Sequence, residues 1–323
     1  MNMHSMTIGI LGLILALPSL PATAAHWEHT EESQGRDGTL WANIPGEPSE
    51  NDAHMPLGFA ECAIGSHQSP IALNLTSNPI PIAINPKTQR PDNNPQAESE
   101  RHADSLFVRY APSISSTEGA AIAKDEGNAF VFRNTGHAVQ VSFSKGYPGR
   151  LLIGKDVYPL VQLHFHTPSE HIVVTDKHPT GKQYAGELHF VHQRGDGRLA
   201  VLGILLDESL HAADNPILKK ILENTPQKHD SYNQSGAGLS LDPSKLIPVE
   251  SEPVFTYAGS LTTPPCSEGV SWYVVSEPLR VSAAQIRQLG ELFPSNSRII
   301  QNTAARTVEI HQGLHIDHQQ SHP

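Results

Sequence analysis

The segment "VQLHFHTPSEH", Val161 to His171, holds His164, His166, Glu170 and His171, residues able to bind a metal or move a proton. Residues i and i+2 of a β-strand point to the same face, so a strand here aims His164 and His166 side by side, with Gln162 on that face too. A second stretch, "GELHFVHQ", places Glu187 two residues before His189 in the same way. If the two strands pair, three imidazoles converge. Gln162 and Glu187 then stand where the second ring N–H of a ligating histidine needs a partner. Three histidines with a fourth position left to water form a catalytic zinc arrangement rather than a structural one. The chain has 19 histidines, so an H-x-H pair also arises by chance. The E-x-H strand is what raises this pair above that background.

Strands must position these groups, and strands dominate the pattern. "SLFVRYA", "AFVFRN", "AVQVSFS", "YPLVQLHFH", "GELHFVHQ", "LAVLGILL", "VFTYAGSL" and "VSWYVVSE" are short β-branched and aromatic runs bounded by turn residues. "RGDGR", Arg194 to Arg198, is a hairpin signal between two of them. Two helices are expected. "NPILKKILEN" offers Asn215 as cap and Pro216 at the first helical position. "SAAQIRQLGELF" has Ser282 and Gln285 at capping-box spacing, with Ile286, Leu289, Leu292 and Phe293 on one face. The expected class is mainly β: a large twisted, mostly antiparallel central sheet with a few short peripheral helices. Segment 85–105 is rich in Pro, Asn and charge and reads as a loop insertion; 228–238 is a second loose stretch; the end, 312–323, is polar, His-rich and expected to fray.

The chain has 323 residues, with 38% hydrophobic and 17% charged, a globular composition. Its net charge of −11 disfavours nucleic acid and anionic membrane surfaces as partners. Residues 1–24 resemble a secretory signal: an apolar run from Ile8 to Leu17, then Pro18, Pro21 and Ala22-Thr23-Ala24-Ala25. That run is shorter than the ~20 residues of a membrane span, so cleavage after Ala24 or Ala25, and no membrane association thereafter, is the expectation. The two cysteines, Cys62 and Cys266, form one disulfide in an exported protein or remain two buried thiols.

"YAGSLTTPPCSEGVSW", taken with "QLHFHTPSEH", "GELHFVH", "NTGHAVQV" and "GSHQSPI", closely resembles the α-class carbonic anhydrases over about 26–306. The resemblance implies one catalytic domain, 25–311, that hydrates CO2 reversibly to bicarbonate by attack of a zinc-bound hydroxide. It implies Zn2+ on His164, His166 and His189, with Gln162 and Glu187 behind them. Zinc brings the pKa of bound water to about 7, a value for which this family is itself the reference case. Thr262 is implied to accept a hydrogen bond from the hydroxide and to donate to Glu170, which as a carboxylate can only accept. His137 is the implied proton shuttle, since imidazole relays protons near neutral pH. Val191, Val201, Leu261, Thr263 and Trp272 are the implied CO2 pocket, and Cys62 and Cys266 the disulfide of exported members. Sulfonamides and small anions are the expected inhibitors, the periplasm the expected location with full secretion the alternative, and a homodimer the assembly common among exported bacterial relatives.

Some positions depart from the family pattern. His29 stands in place of a Tyr that helps order active-site water, Thr135 in place of an Asn, Ala304 in place of an Asn and Thr307 in place of a Pro; Arg306 matches the arginine of that last motif. Two other readings compete. "HFHTPSE" satisfies the H-x-H-x3-E core of a cupin metal site, which would make Glu170 a ligand, but the cupin glycines and turn are missing. A catalytically silent carbonic-anhydrase-like binding protein is the other, though such relatives typically lose a zinc histidine and this chain keeps three. Zinc capture by His311, His315, His318 and His322 has irregular spacing to recommend against it.

Overall fold

The computed structural model describes residues 40–43, 59–76, 106–110, 113–114, 130–228, 231–232, 239–248, 253–293, 295–303, 306–311 and 313–316. The signal segment 1–24, His29, the 85–105 insertion and Ala304 lie outside the described residues. In chain order the strands are β1 Ala72–Asn74, β2 Leu106–Arg109, β3 Ser113–Ile114, β4 Phe130–Asn134, β5 Val139–Phe143, β6 Arg150–Ile153, β7 Asp156–His166, β8 Ile172–Thr175 and β9 His178–Gln183. They continue with β10 Gly186–Gln193, β11 Leu199–Ser209, β12 Ser231–Tyr232, β13 Ser240–Leu241, β14 Val254–Ser260, β15 Glu268–Ser282, β16 Glu309–His311 and β17 Leu314–Ile316. The α-helices are α1 Glu61–Ile64, α2 Pro216–Asn224 and α3 Ala283–Leu292. None of the described helices is long and apolar enough to cross a membrane.

Twelve strands form one sheet with the order β12-β4-β5-β7-β10-β11-β15-β14-β16, flanked by β6, β2 and β17 beside the first half of β7. Its pairs are antiparallel except β11–β15 and β17–β2. The alternation along β10 sends Leu188 and Phe190 into the larger core, where they meet Ile217, Leu218 and Ile221 of α2 and Leu289 of α3. The other face of β11, β14 and β15 packs Val201, Leu205, Tyr257 and Trp272 into a second cluster. The site lies on this second face.

Both helix expectations hold at their starts. Asn215 Oδ1 accepts from Ile217 N at 2.9 Å and Leu218 N at 3.1 Å, and Ser282 Oγ accepts from Gln285 N at 3.2 Å. The capping box at Ser282 is not closed, however. Gln285 turns away and pairs with the other helix cap, accepting from Asn215 N at 3.0 Å and donating to Asn215 O at 2.9 Å. Burial explains the choice: Gln285 is 1% exposed, and an amide there must satisfy both of its ends. The polar ending also differs from expectation. Leu314 is buried against the core, and β17 adds to β2, so the ordered sheet reaches Ile316. The loose stretch after Lys228 likewise contributes β12 to the sheet edge.

Candidate active site

Register brings the two histidine strands together. In the β7–β10 ladder His164 stands opposite His189, Glu187 opposite His166 and Gln162 opposite Val191. The ring centroids of His164, His166 and His189 are 4.7 to 5.1 Å apart. Each ring has one nitrogen engaged away from the cluster. His164 Nδ1 pairs with Gln162 Oε1 at 2.8 Å, His166 Nδ1 with the Asn296 carbonyl at 2.7 Å, and His189 Nε2 with Glu187 Oε1 at 2.9 Å. That leaves His164 Nε2, His166 Nε2 and His189 Nδ1. His166 Nε2 is buried with no hydrogen-bond partner, and the cluster's ligand atoms lie within 4.8 Å of one another. Burial lowers the pKa of all three, that of His166 to about 4, so each is a neutral imidazole with a lone pair to give. The donor set fits a zinc ion, and its nitrogen ligands are the type zinc takes.

Glu187 organises the back of this cluster. Its Oε2 accepts from Glu170 N at 2.9 Å and His171 N at 2.8 Å, and its Oε1 also takes His171 Nδ1 at 2.7 Å. Burial opposes the charge, but the flanking His171 and His189 hold its carboxyl well below the usual range. Gly203, opposite His189 on β11, makes room for it: a Cβ there would sit 3.1 Å from Glu187 Oε1. His171 Nε2 in turn meets Tyr257 Oη at 2.7 Å, and Tyr257 Oη lies 3.0 Å from Ser69 Oγ.

Glu170 is buried beside the histidines, 3.5 Å from His166 Nδ1. Burial pushes its carboxyl up to about 7, while His189, the Arg298 N–H and the Thr262 hydroxyl favour the carboxylate. Oε1 accepts from Arg298 N at 2.9 Å. Thr262 is itself buried in the loop after β14. Leu261 N bonds Ser267 O at 3.0 Å and Cys266 N bonds Thr263 O at 2.9 Å, closing that loop. The Cys62–Cys266 disulfide, with Cα atoms 5.1 Å apart, ties it to α1. Gln68 Nε2 donates to Cys266 O at 3.0 Å, a second tie.

A cavity of about 170 Å³ opens in front of the cluster, lined by Thr135, His137, Gln140, Gln162, His164, His166 and Thr263 among others. His137 is half-buried on its wall, in the turn between β4 and β5. Val191, Val201, Leu261 and Trp272 gather in the apolar cluster of the same sheet face. Trp272 Nε1 donates to Ser260 O at 3.0 Å, and its ring stands edge-on to His189 at 4.9 Å.

Asn296 and Arg298 carry no signal in the sequence. Their contacts with His166 and Glu170 are a backbone carbonyl and a backbone N–H, which side-chain type does not announce. His171 lies inside the opening segment, but nothing in its spacing tells that both its nitrogens are spent on Glu187 and Tyr257.

A family model described as eukaryotic-type carbonic anhydrase matches residues 105–312. A carbonic anhydrase of Nostoc sp. is 38% identical over 268 residues, covering 83% of this chain and 84% of that one. The chain belongs to the α-class carbonic anhydrase family. A solved α-carbonic anhydrase of Thermovibrio ammonificans, in complex with the inhibitor sulfanilamide, superposes with a TM-score of 0.62 at 28% identity, covering 88% of this chain and 99% of that one. Dioscorin DB3S of Dioscorea polystachya is 34% identical over 181 residues, covering 54% of this chain and 63% of that one. The family assignment sets aside the cupin reading and its use of Glu170 as a ligand. In this carbonic anhydrase the described residues 62–69, ahead of the matched span, pack against it, because the buried Arg298 side chain bonds Cys62 O, Gln68 Oε1 and Ser69 O at 2.8 to 3.0 Å.

Proposed function

We propose that the His164–His166–His189 cluster holds zinc and that this carbonic anhydrase interconverts CO2 and bicarbonate there. The carrying observation is the set of three ring nitrogens left over once Gln162, Asn296 and Glu187 have taken the others. When bound, zinc supplies Lewis acidity, hydroxide at neutral pH and a positive charge that favours the Glu170 carboxylate, effects for which this family is the reference case. The chain's own residues do the rest. Glu187 and the Asn296 carbonyl hold their imidazoles in one tautomer and orientation. The Glu170 carboxylate can only accept, so the Thr262 hydroxyl beside it would donate to Glu170 and keep its lone pairs for an O–H donor at the metal position. Accepting in this way, Thr262 would orient an oxygen nucleophile toward the apolar side of the site, where CO2 would lie. Val191, Val201, Leu261 and Trp272, with Thr263 at the cavity wall, give a small nonpolar substrate a dry place to wait. The proton released by hydration leaves through His137, whose imidazole can take and return it near neutral pH.

Segment 1–24 and the disulfide support export, with the periplasm as destination, since disulfides persist in oxidising compartments. N-terminal sequencing of the secreted form, expected to begin after Ala24 or Ala25, checks this. For the activity, stopped-flow CO2 hydration by the zinc-loaded protein is the decisive measurement, with and without sulfanilamide. Fast, sulfanilamide-sensitive hydration is expected. A rate no higher than buffer, with zinc confirmed bound, would leave the silent binding protein as the better reading.

A further inference from the structure

Asn296 lies just beyond α3 and is 3% exposed. All of its polar atoms are in use. Its N donates to Thr167 O at 3.2 Å, and its O accepts from His166 Nδ1 at 2.7 Å. Its Oδ1 accepts from Thr167 N at 2.8 Å, and Nδ2 spends its two hydrogens on Phe165 O at 2.9 Å and His137 O at 3.0 Å. Four of these contacts therefore grip residues 165–167 at the end of β7. The fifth reaches 159 residues back, to the turn that carries His137.

That turn sets its own shape by local contacts. Thr135 Oγ1 accepts from His137 N at 3.3 Å and Ala138 N at 2.9 Å, and Asn134 Oδ1 accepts from Gly136 N at 3.1 Å. Gly136 has φ 81°, a left-handed conformation that glycine adopts without strain. Local contacts fix how the turn bends, and the β5–β7 ladder takes hold from Gln140, opposite His164; at His137 itself the Asn296 amide supplies a tie to the end of β7. We infer that Asn296 is a positioning residue for proton export: its amide yokes the His137 turn to the strand bearing His164 and His166. This rests on the reading of His137 as the proton shuttle. Two donors on one rigid amide are what the job requires, because one must hold the strand while the other holds the turn. Proton export follows conversion of CO2, so a displaced His137 lowers kcat and leaves kcat/KM alone.

The test compares the zinc-loaded wild type with His137→Ala, Asn296→Ala and the double variant, in weak buffer and with added imidazole. Asn296→Asp is the companion variant, since it keeps the volume and the Thr167 contact while removing both donors. The expected result is a drop in kcat of about fivefold in weak buffer for either Asn296 variant, the size of one lost hydrogen bond. kcat falls more than kcat/KM, which also registers the hold of Asn296 on the His166 strand; imidazole restores the excess loss in kcat, and the double variant is no slower than His137→Ala. Amide hydrogen exchange in 136–138 quickens in the Asn296 variants, a readout independent of turnover. Equal losses in kcat and kcat/KM, or a further fall in the double variant, would overturn the inference in favour of a role in the ligand strand. Asn296 variants with wild-type kcat beside a slow, imidazole-rescued His137→Ala would also overturn it while sparing the shuttle. A His137→Ala variant with wild-type kcat would sink the shuttle reading and this inference together.

Discussion

His189 and His192 stand three residues apart on β10, on opposite faces of the sheet, and both are fully buried. His192 has both ring nitrogens spent: Nδ1 donates to Ala200 O at 3.3 Å, so Nε2 accepts from Tyr110 Oη at 2.6 Å. His189 has one nitrogen on Glu187 and one left for the cluster with His164 and His166. Burial depresses both pKa values, that of His192 to about 3, so titration does not separate them. What separates a core histidine from a ligand is the unspent lone pair. His171 makes the same point from within the site. It touches Glu187 and lies 2.7 Å from Tyr257 Oη, so it has nothing left for a metal.

The comparison can be broken most decisively at the ligand. His189→Ala should take zinc binding and CO2 hydration to background in a protein that still folds by circular dichroism; retained activity would dissolve the distinction. On the other face the effect should be on stability and on its pH dependence. His192 has a folded pKa near 3 against about 6.5 unfolded, so below pH 6.5 the unfolded chain binds a proton that the folded one refuses. Its contribution is present in full above pH 6.5 and is lost as pH falls toward 3, at up to about 1.4 kcal/mol per pH unit. Urea midpoints at pH 7 and pH 4.5 should show a smaller acid loss in His192→Gln than in wild type, with zinc affinity at pH 7 unchanged in the variant.

Two smaller effects sharpen the contrast. Glu187→Gln should weaken zinc binding by about 10- to 100-fold, read by chelator competition, because an amide cannot accept all four N–H groups that the carboxylate receives. Tyr110→Phe leaves His192 Nε2 buried without a donor and should cost about 1–3 kcal/mol in chemical unfolding, with no change in zinc affinity. A Tyr110→Phe protein that loses zinc would join the two faces into one system.

Much of the site was legible because strand geometry is regular. A period of two puts Gln162, His164 and His166 on one face of their strand and Glu187, His189 and Val191 on one face of theirs, and pairing makes these the same face of the sheet. The Asn215 cap and the Ser282 cap follow from short polar side chains satisfying free N–H groups. Gln285 shows where local reading ends: its spacing suits Ser282, but burial sends it to Asn215 instead. The Leu314–Ile316 strand shows the same limit, since a polar, His-rich neighbourhood concealed one leucine with a place in the core.

The sequence by itself determined which side chains share a face, where the two longer helices start and which residue types stand ready for zinc, because these depend on bond geometry and on neighbours a few residues away. Only the tertiary structure decided which ring nitrogens are left over. The partner of His166 is a backbone carbonyl 130 residues further on, and the Thr262 loop is held to α1 by a cysteine 204 residues earlier. A backbone carbonyl, and outside proline a backbone N–H, is the same whatever the side chain. Their roles come from the place the fold gives them.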